Sequence, residues 1–240
     1  MSILDRLERD QPAFHWGGTR RWNALHGTLR EIESSVNGNM RTLETGCGAS
    51  TVMFAEKGAQ HTVISPTRDE HERVRAYLAQ VGIDSSRLRF EAGFSEEVLP
   101  RLGLERCLDY VFIDGAHSFP YPAIDWYYAT KALKIGGRLL LDDIPIPAVA
   151  CVYRYMMSDP SWKLTDILDD RAAAFELVAE PAPEDYTLQP YNRHSDFGFA
   201  PLPKRLYLTL ADELLRFRRQ LRHRLPGLYR YWQRWHSSRT

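Results

Sequence analysis

The stretch Leu108-Asp109-Tyr110-Val111-Phe112-Ile113-Asp114-Gly115-Ala116-His117 decides how this chain is read. Its apolar run is short and unbroken, as expected of a strand covered on both faces of a parallel sheet, and it stops at an acid and a glycine. A second run, Arg138-Leu139-Leu140-Leu141, stops the same way at Asp142-Asp143. Ligands of open α/β sheets bind outside the carboxyl ends of the strands. Asp114, Asp142, Asp143 and His117 therefore fall where chemistry is done. Three carboxylates and an imidazole there point to a hard divalent cation with a base beside it, acting on a hydroxyl group.

Outward from these runs, strand-like and helix-like patterns alternate, the mark of a doubly wound α/β fold. Helices are expected near Ser2 to Glu8 and Arg20 to Val36, then a first strand at Arg41 to Glu44 with its helix from Ser50 to Lys57. A second strand from His61 to Ser65, a helix from Glu70 to Val81 and a third strand from Arg87 to Glu91 follow. Gly93-Phe94-Ser95-Glu96-Glu97-Val98-Leu99-Pro100 opens a short helix with Ser95 as its N-cap. The fourth and fifth strands are joined by a helix from Tyr121 to Leu133 and a Gly136-Gly137 turn. A right-handed crossover of this length puts them in one parallel sheet. Trp162 to Asp169 and Ala173 to Glu180 complete a mostly parallel sheet of seven strands. The expected organisation is an N-terminal helical segment (1–40), a Rossmann-like domain (41–202) and a basic tail (203–240).

The formal net charge is zero over 240 residues, yet it is unevenly spread. From Pro203 to Thr240, ten Lys or Arg face Asp212 and Glu213, so the tail carries +8 and the rest −8. Cys47, Cys107 and Cys151 form no C-x-x-C pair, which argues against a zinc site or a disulfide framework and favours a reducing compartment. No apolar run is long enough to span a bilayer, and Met1 to Gln11 alternates charges where a secretion signal is apolar. A cytoplasmic catalytic body is expected.

Glu44-Thr45-Gly46-Cys47-Gly48-Ala49-Ser50-Thr51 follows the first strand and opens a helix. Glycines there let backbone approach a ligand, and a helix N-terminus favours polar or anionic groups. A dinucleotide fingerprint is incomplete, because Thr51 stands where the third glycine belongs. The loop resembles the first motif of class I S-adenosylmethionine-dependent methyltransferases. From about Arg41 to Ile144 the chain is similar to the small-molecule O-methyltransferases related to catechol O-methyltransferase, above all the metal-dependent enzymes acting on the sugars of macrolide glycosides. The quoted segments at Gly93–Pro100, Phe112–His117 and Leu140–Asp143 carry that likeness.

The resemblance implies a Rossmann-like methyltransferase fold and S-adenosylmethionine as cofactor. It implies cofactor contacts from Glu44, Gly46, Cys47, Gly48, Ser50, Thr51, Ser65, Gly93, Ser95 and Asp114. It implies a divalent metal, Mg²⁺ by preference, on Asp114, Asp142 and Asp143, with His117 as base. The catechol enzymes carry a lysine at the offset of His117, so a sugar-like or aliphatic hydroxyl is the expected acceptor. One departure stands out: the second strand ends His61-Thr62-Val63-Ile64-Ser65-Pro66-Thr67, with no acid for the ribose. That leaves Ser65, or Asp69 or Glu70 reaching back from the next helix.

A cation makes a hydroxyl easier to deprotonate, as it does bound water. Histidine, with an ordinary pKa near 6.5, can take that proton at neutral pH. Phe14-His15-Trp16-Gly17-Gly18 and Tyr121, Trp126, Tyr127 and Tyr128 are candidate walls of the acceptor pocket, and Pro181 to Phe199 a candidate lid. In the tail, Tyr207, Leu210, Leu214, Phe217 and Leu221 recur at helical spacing among arginines, and Leu228, Tyr231, Trp232 and Trp235 follow a Pro226-Gly227 break. Such a stripe suits an anionic membrane surface, the domain itself or a second subunit in a homo-oligomer. Nucleic acid is disfavoured by the acidic body. A non-catalytic cofactor-binding adaptor at a membrane is the competing function.

Overall fold

The computed structural model describes residues 2–21, 24–181, 189–192, 195–225 and 227. They form two compact units, Met1–Glu180 and Pro181–Thr240. In chain order the first unit contains α1 (Ile3–Asp10), α2 (His26–Ser35), β1 (Arg41–Thr45), α3 (Ala49–Glu56), β2 (Gln60–Ser65), α4 (Arg68–Val81) and β3 (Leu88–Ala92). It continues with α5 (Ser95–Leu102), β4 (Leu108–Ile113), α6 (Tyr121–Ala132), β5 (Leu133–Leu141), α7 (Pro147–Ser158), β6 (Trp162–Leu168) and β7 (Ala172–Leu177).

The seven strands lie in the order β3-β2-β1-β4-β5-β7-β6. All neighbours are parallel except β7, which runs antiparallel to both β5 and β6. The chain moves outward from β1 to β2 and β3, then returns to place β4 on the other side of β1. That reversal opens a crevice above the carboxyl ends of β1 and β4. Alternation along the strands fills a core on each face. Tyr110, Phe112 and Leu140 pack with α1 to α4, whereas Val111, Ile113, Leu139 and Leu141 pack with α5 to α7.

The N-terminal helices belong to the first of these cores. α1 starts with a reciprocal cap, Ser2 Oγ accepting from the Asp5 amide and the Asp5 carboxylate from the Ser2 amide, and buries Ile3, Leu4 and Leu7. α2 begins at His26 instead of Arg20. Gly17 and Gly18 take positive φ and His15 pairs with Arg20, so the chain turns before the helix can start. The Asp169 carboxylate, from the β6–β7 turn, then accepts from the Gly27 and Thr28 amides and caps α2.

Three further expectations are corrected. Ser95 is the first residue of α5, not its cap; Phe94 holds the cap position with no side-chain bond. Gly136-Gly137 lies inside β5, which pairs with β4 from Leu133 onward across a register irregularity. Between Asp143 and Trp162, where no element is expected from sequence, α7 buries Val149, Val152 and Met156 at helical spacing behind Pro147.

The second unit contains a short 3₁₀ turn (Pro190–Asn192) and α8 (Leu202–Arg224). The tail stripe falls on α8, with Tyr207, Leu210, Leu214 and Phe217 exposed. Leu228, Tyr231, Trp232 and Trp235 lie outside the described residues, as does part of the candidate lid.

Candidate active site

A cavity of about 910 Å³ occupies the crevice, within the range of small-molecule sites. Its walls come from the β1–α3 loop (Gly46, Cys47, Gly48, Ser50), the β2–α4 turn (Ser65, Glu70), the start of α5 (Ser95), the β4 end (Asp114, Gly115, His117), Asp143 and Arg171. His15 and Tyr121 also line it, while Trp126, Tyr127 and Tyr128 do not. Phe14 is core, stacked edge-on with Tyr77, and Trp16 is exposed.

The glycine loop is fixed by sterics. Gly46 has φ of 104°, and a Cβ there would sit 2.4 Å from the Asp114 carbonyl oxygen, so only glycine lets β1 and β4 come this close. Glu44 lies beneath the loop and is fully buried, not on the cavity wall. Its carboxylate accepts from Ser50 Oγ at 2.6 Å and from Thr51 Oγ1, and lies 3.2 Å from His61 Nε2. His61 in turn lies 2.8 Å from Thr42 Oγ1 and stacks on Phe54. Glu44 and Thr51 therefore shape the loop from below. Gly93 likewise lies off the wall, where an added Cβ would strike Val98 at 2.8 Å.

Across the cavity sit the acids of the strand ends. His117 Nε2 is 3.4 Å from Asp114 Oδ1 and 3.2 Å from Asp143 Oδ2, without a well-aligned hydrogen bond to either. One ligand atom from each of these three residues falls within 4.8 Å of the others, a spacing that fits a single cation. Asp143 reaches the cavity through a left-handed backbone, φ 56°, which costs a non-glycine residue some strain. Asp142, the other expected ligand, is 1% exposed and sits behind the group. Its Oδ1 accepts from the Asp143 amide at 2.8 Å and lies 3.1 Å from Arg171 Nε. Arg171 also meets Asp143 at 2.7 Å. Sequence reasoning missed Arg171, and the Asp169-Asp170-Arg171 turn gave no hint that it would return to β5.

The electrostatics follow from this crowding. Burial, with Asp114 nearby and Arg171 only partly compensating, pushes Asp142 up to about 7. Burial also raises Asp114, although His117 beside it works the other way. The Asp114 carboxylate raises His117 against the effect of burial. Beneath Gly115, burial pushes Asp125 up to about 6; the Thr45 and Ser95 hydroxyls only partly oppose this, and neither carboxylate oxygen has a well-aligned bond.

The described residues from 43 to 144 match a family model described as a methyltransferase domain. No curated protein matches the chain significantly. Among solved structures, a candidate O-methyltransferase of Klebsiella pneumoniae is 18% identical, with 75% of this chain and 91% of that one covered at a TM-score of 0.61. A candidate caffeoyl-CoA O-methyltransferase of Staphylococcus aureus is 17% identical over 74% and 93%, with a TM-score of 0.58. A methyltransferase of Podospora anserina bound to S-adenosylhomocysteine is 17% identical over 73% and 95%, with a TM-score of 0.54. These likenesses establish the fold. The matched segment contains both the glycine loop and the Asp114–His117–Asp143 group.

Proposed function

We propose that the protein methylates a hydroxyl group of a small molecule, sugar-like in preference to catechol, with His117 as the base. The observation that carries this reading is one cavity with a glycine loop on one wall and the Asp114–His117–Asp143 group on the other. S-adenosylmethionine, when bound, supplies an electrophilic methyl group on a sulfonium.

The residues present also suit a divalent cation, which Asp114 and Asp143 would hold and which would make a bound hydroxyl more acidic. Asp142 backs them through the Asp143 amide. Two carboxylates leave coordination sites for water or a diol, the habit of Mg²⁺. The His117 imidazole would take the acceptor proton as the hydroxyl oxygen gains the methyl group and the S–CH₃ bond breaks, leaving S-adenosylhomocysteine. Asp114, beside this ring, makes it a stronger base, and the enclosing walls limit competing water. Incubation with methyl-labelled S-adenosylmethionine and a panel of glycosides and phenols tests the reading by mass spectrometry. Labelled glycoside ethers are expected; label only on nitrogen or carbon would refute it.

We also infer that α8 lies on an anionic lipid surface. Leu206, Leu210, Leu214 and Phe217 are each at least 58% exposed, and the helix carries seven Lys or Arg against two acids. Among the described residues, no helix is long and apolar enough to cross a membrane. An exposed apolar stripe with this excess of arginine suits the interface of an anionic bilayer. The full chain should float with vesicles containing phosphatidylserine and not with neutral ones, and Leu210→Glu should abolish flotation; equal recovery with both vesicle types would refute it.

A further inference from the structure

The cavity wall carries charges of both signs, and nearly all of them are answered by neighbours. Glu70 is met by His15 Nδ1 at 2.9 Å and by Ser65 Oγ at 2.7 Å. Asp114 has the His117 ring beside it, Asp143 has His117 and Arg171, and Glu96 lies in the first turn of α5, where the helix end favours an acid. Arg171 in turn is held by Asp142 and Asp143. One cation is left over. Arg21 lines the same cavity, and among the described residues its guanidinium has no ion pair or hydrogen bond.

The segment that carries Arg21 is tied down on both sides of it. Phe14 is buried in the core, and His15 lies against the glycine loop, its Nε2 3.4 Å from where a Cβ on Gly48 would be. The chain reverses at Gly17-Gly18, so that Arg20 pairs with His15. Beyond Arg21 it is anchored again at Gly27 and Thr28, whose amides donate to the Asp169 carboxylate in the turn that also carries Arg171. The segment thus runs from the glycine loop to the Arg171 end of the wall, and Arg21 lies six residues from His15 and six from Gly27.

An exposed guanidinium on an open surface needs no partner but water. On the wall of a cavity, a bound ligand takes that water away, and a charge so stripped needs an acid in exchange. The cofactor does not supply it in the site as read above, because its own carboxylate falls to the glycine loop and the N-terminus of α3. At about 910 Å³ the cavity is near the large end of small-molecule sites, with room for a small acceptor beside the cofactor. A guanidinium is weakly hydrated, and its planar fork matches a carboxylate or a phosphate with two parallel bonds.

We propose that the hydroxylated acceptor carries an acidic group, a carboxylate or a phosphate, and that Arg21 is the specificity residue that binds it. This rests on the reading that the cavity methylates a small hydroxyl compound.

The test uses the full chain with methyl-labelled S-adenosylmethionine and Mg²⁺, and acceptors in matched pairs: glucuronic acid with glucuronamide, glyceric acid with glyceramide, and glucose 6-phosphate with glucose. The wild type should prefer the acidic member of a pair by about tenfold or more in kcat/KM, as expected for a hydrogen bond between charged groups, and the pair that shows it tells carboxylate from phosphate. The preference should shrink at high salt. Arg21→Gln should bring it towards one, while S-adenosylhomocysteine affinity, measured by calorimetry, stays within about twofold. Arg21→Lys, which keeps the charge and loses the fork, should restore only part of the preference. Equal use of both members by the wild type overturns the proposal. So does a loss of S-adenosylhomocysteine affinity in Arg21→Gln as large as the loss on the acid, because the guanidinium would then serve the cofactor. Label on neutral acceptors alone sinks the proposal and leaves the hydroxyl-transfer reading standing, whereas label on no oxygen at all means that this reading fails first.

Discussion

Two buried acids, on β1 and at the end of β5 with β4 between them, behave in opposite ways. Glu44, beneath the glycine loop, is met by two hydroxyls and an imidazole, so its polar atoms are provided for. Asp142, at the end of β5, is as deeply buried but is pushed up to about 7, with one oxygen lacking a hydrogen bond. A satisfied buried acid is a strut, whereas a crowded and underpaired one is held ready for a partner that folding alone does not provide. Under the proposed function, the glycine-loop side of the cavity is scaffold, and the Asp114–His117–Asp143 side is where charge would change.

The largest effect should come from breaking the scaffold. Gly46→Ala pushes a methyl group to 2.4 Å from the Asp114 carbonyl at a positive φ, so about 3 kcal/mol or more of stability should be lost, measured by denaturant unfolding. A variant as stable as the wild type would remove the close approach from the account.

Next in size is Asp125, the third crowded acid. An acid whose folded pKa is raised from 3.8 to about 6 destabilises the fold where it is charged. The penalty is absent below about pH 4, grows as pH rises to about 6, and is full above that, at about 3 kcal/mol. Asp125→Asn should match the wild type near pH 4 and exceed it at pH 7. Unfolding curves that keep a constant separation across that window would show that Asp125 is not held neutral by its surroundings.

A smaller effect should follow at Arg171, whose guanidinium already neutralises Asp142 and Asp143. Arg171→Gln leaves those carboxylates free for a cation, so Mn²⁺, titrated with paramagnetic resonance detection, should bind a few-fold more tightly. Weaker binding would mean that Arg171 orients the ligands instead of competing for them.

The fold was largely legible because β4 and β5 are covered on both faces, and such strands announce themselves as short apolar runs that stop at polar residues. α7 was not, since its buried positions are interleaved with Tyr153, Tyr155 and Cys151, which blur the helical stripe. In the site, the adjacency of Asp142 and Asp143 misled. Successive side chains leave a strand in opposite directions, so neighbours cannot both enter one cavity from extended backbone. Asp143 reaches it by a left-handed turn and Asp142 stays behind. His15 and Arg171 reach the cavity from 55 and 28 residues away from their partners Glu70 and Asp143, and no local pattern encodes such meetings.

The division between scaffold and chemistry is tested most directly on His117→Ala, by measuring its S-adenosylhomocysteine affinity alongside its methyl-transfer turnover. The affinity should stay within about twofold of the wild type, while turnover falls by about a hundredfold or more, the usual worth of a positioned base. Unchanged turnover would contradict the account, and so would affinity and turnover lost together.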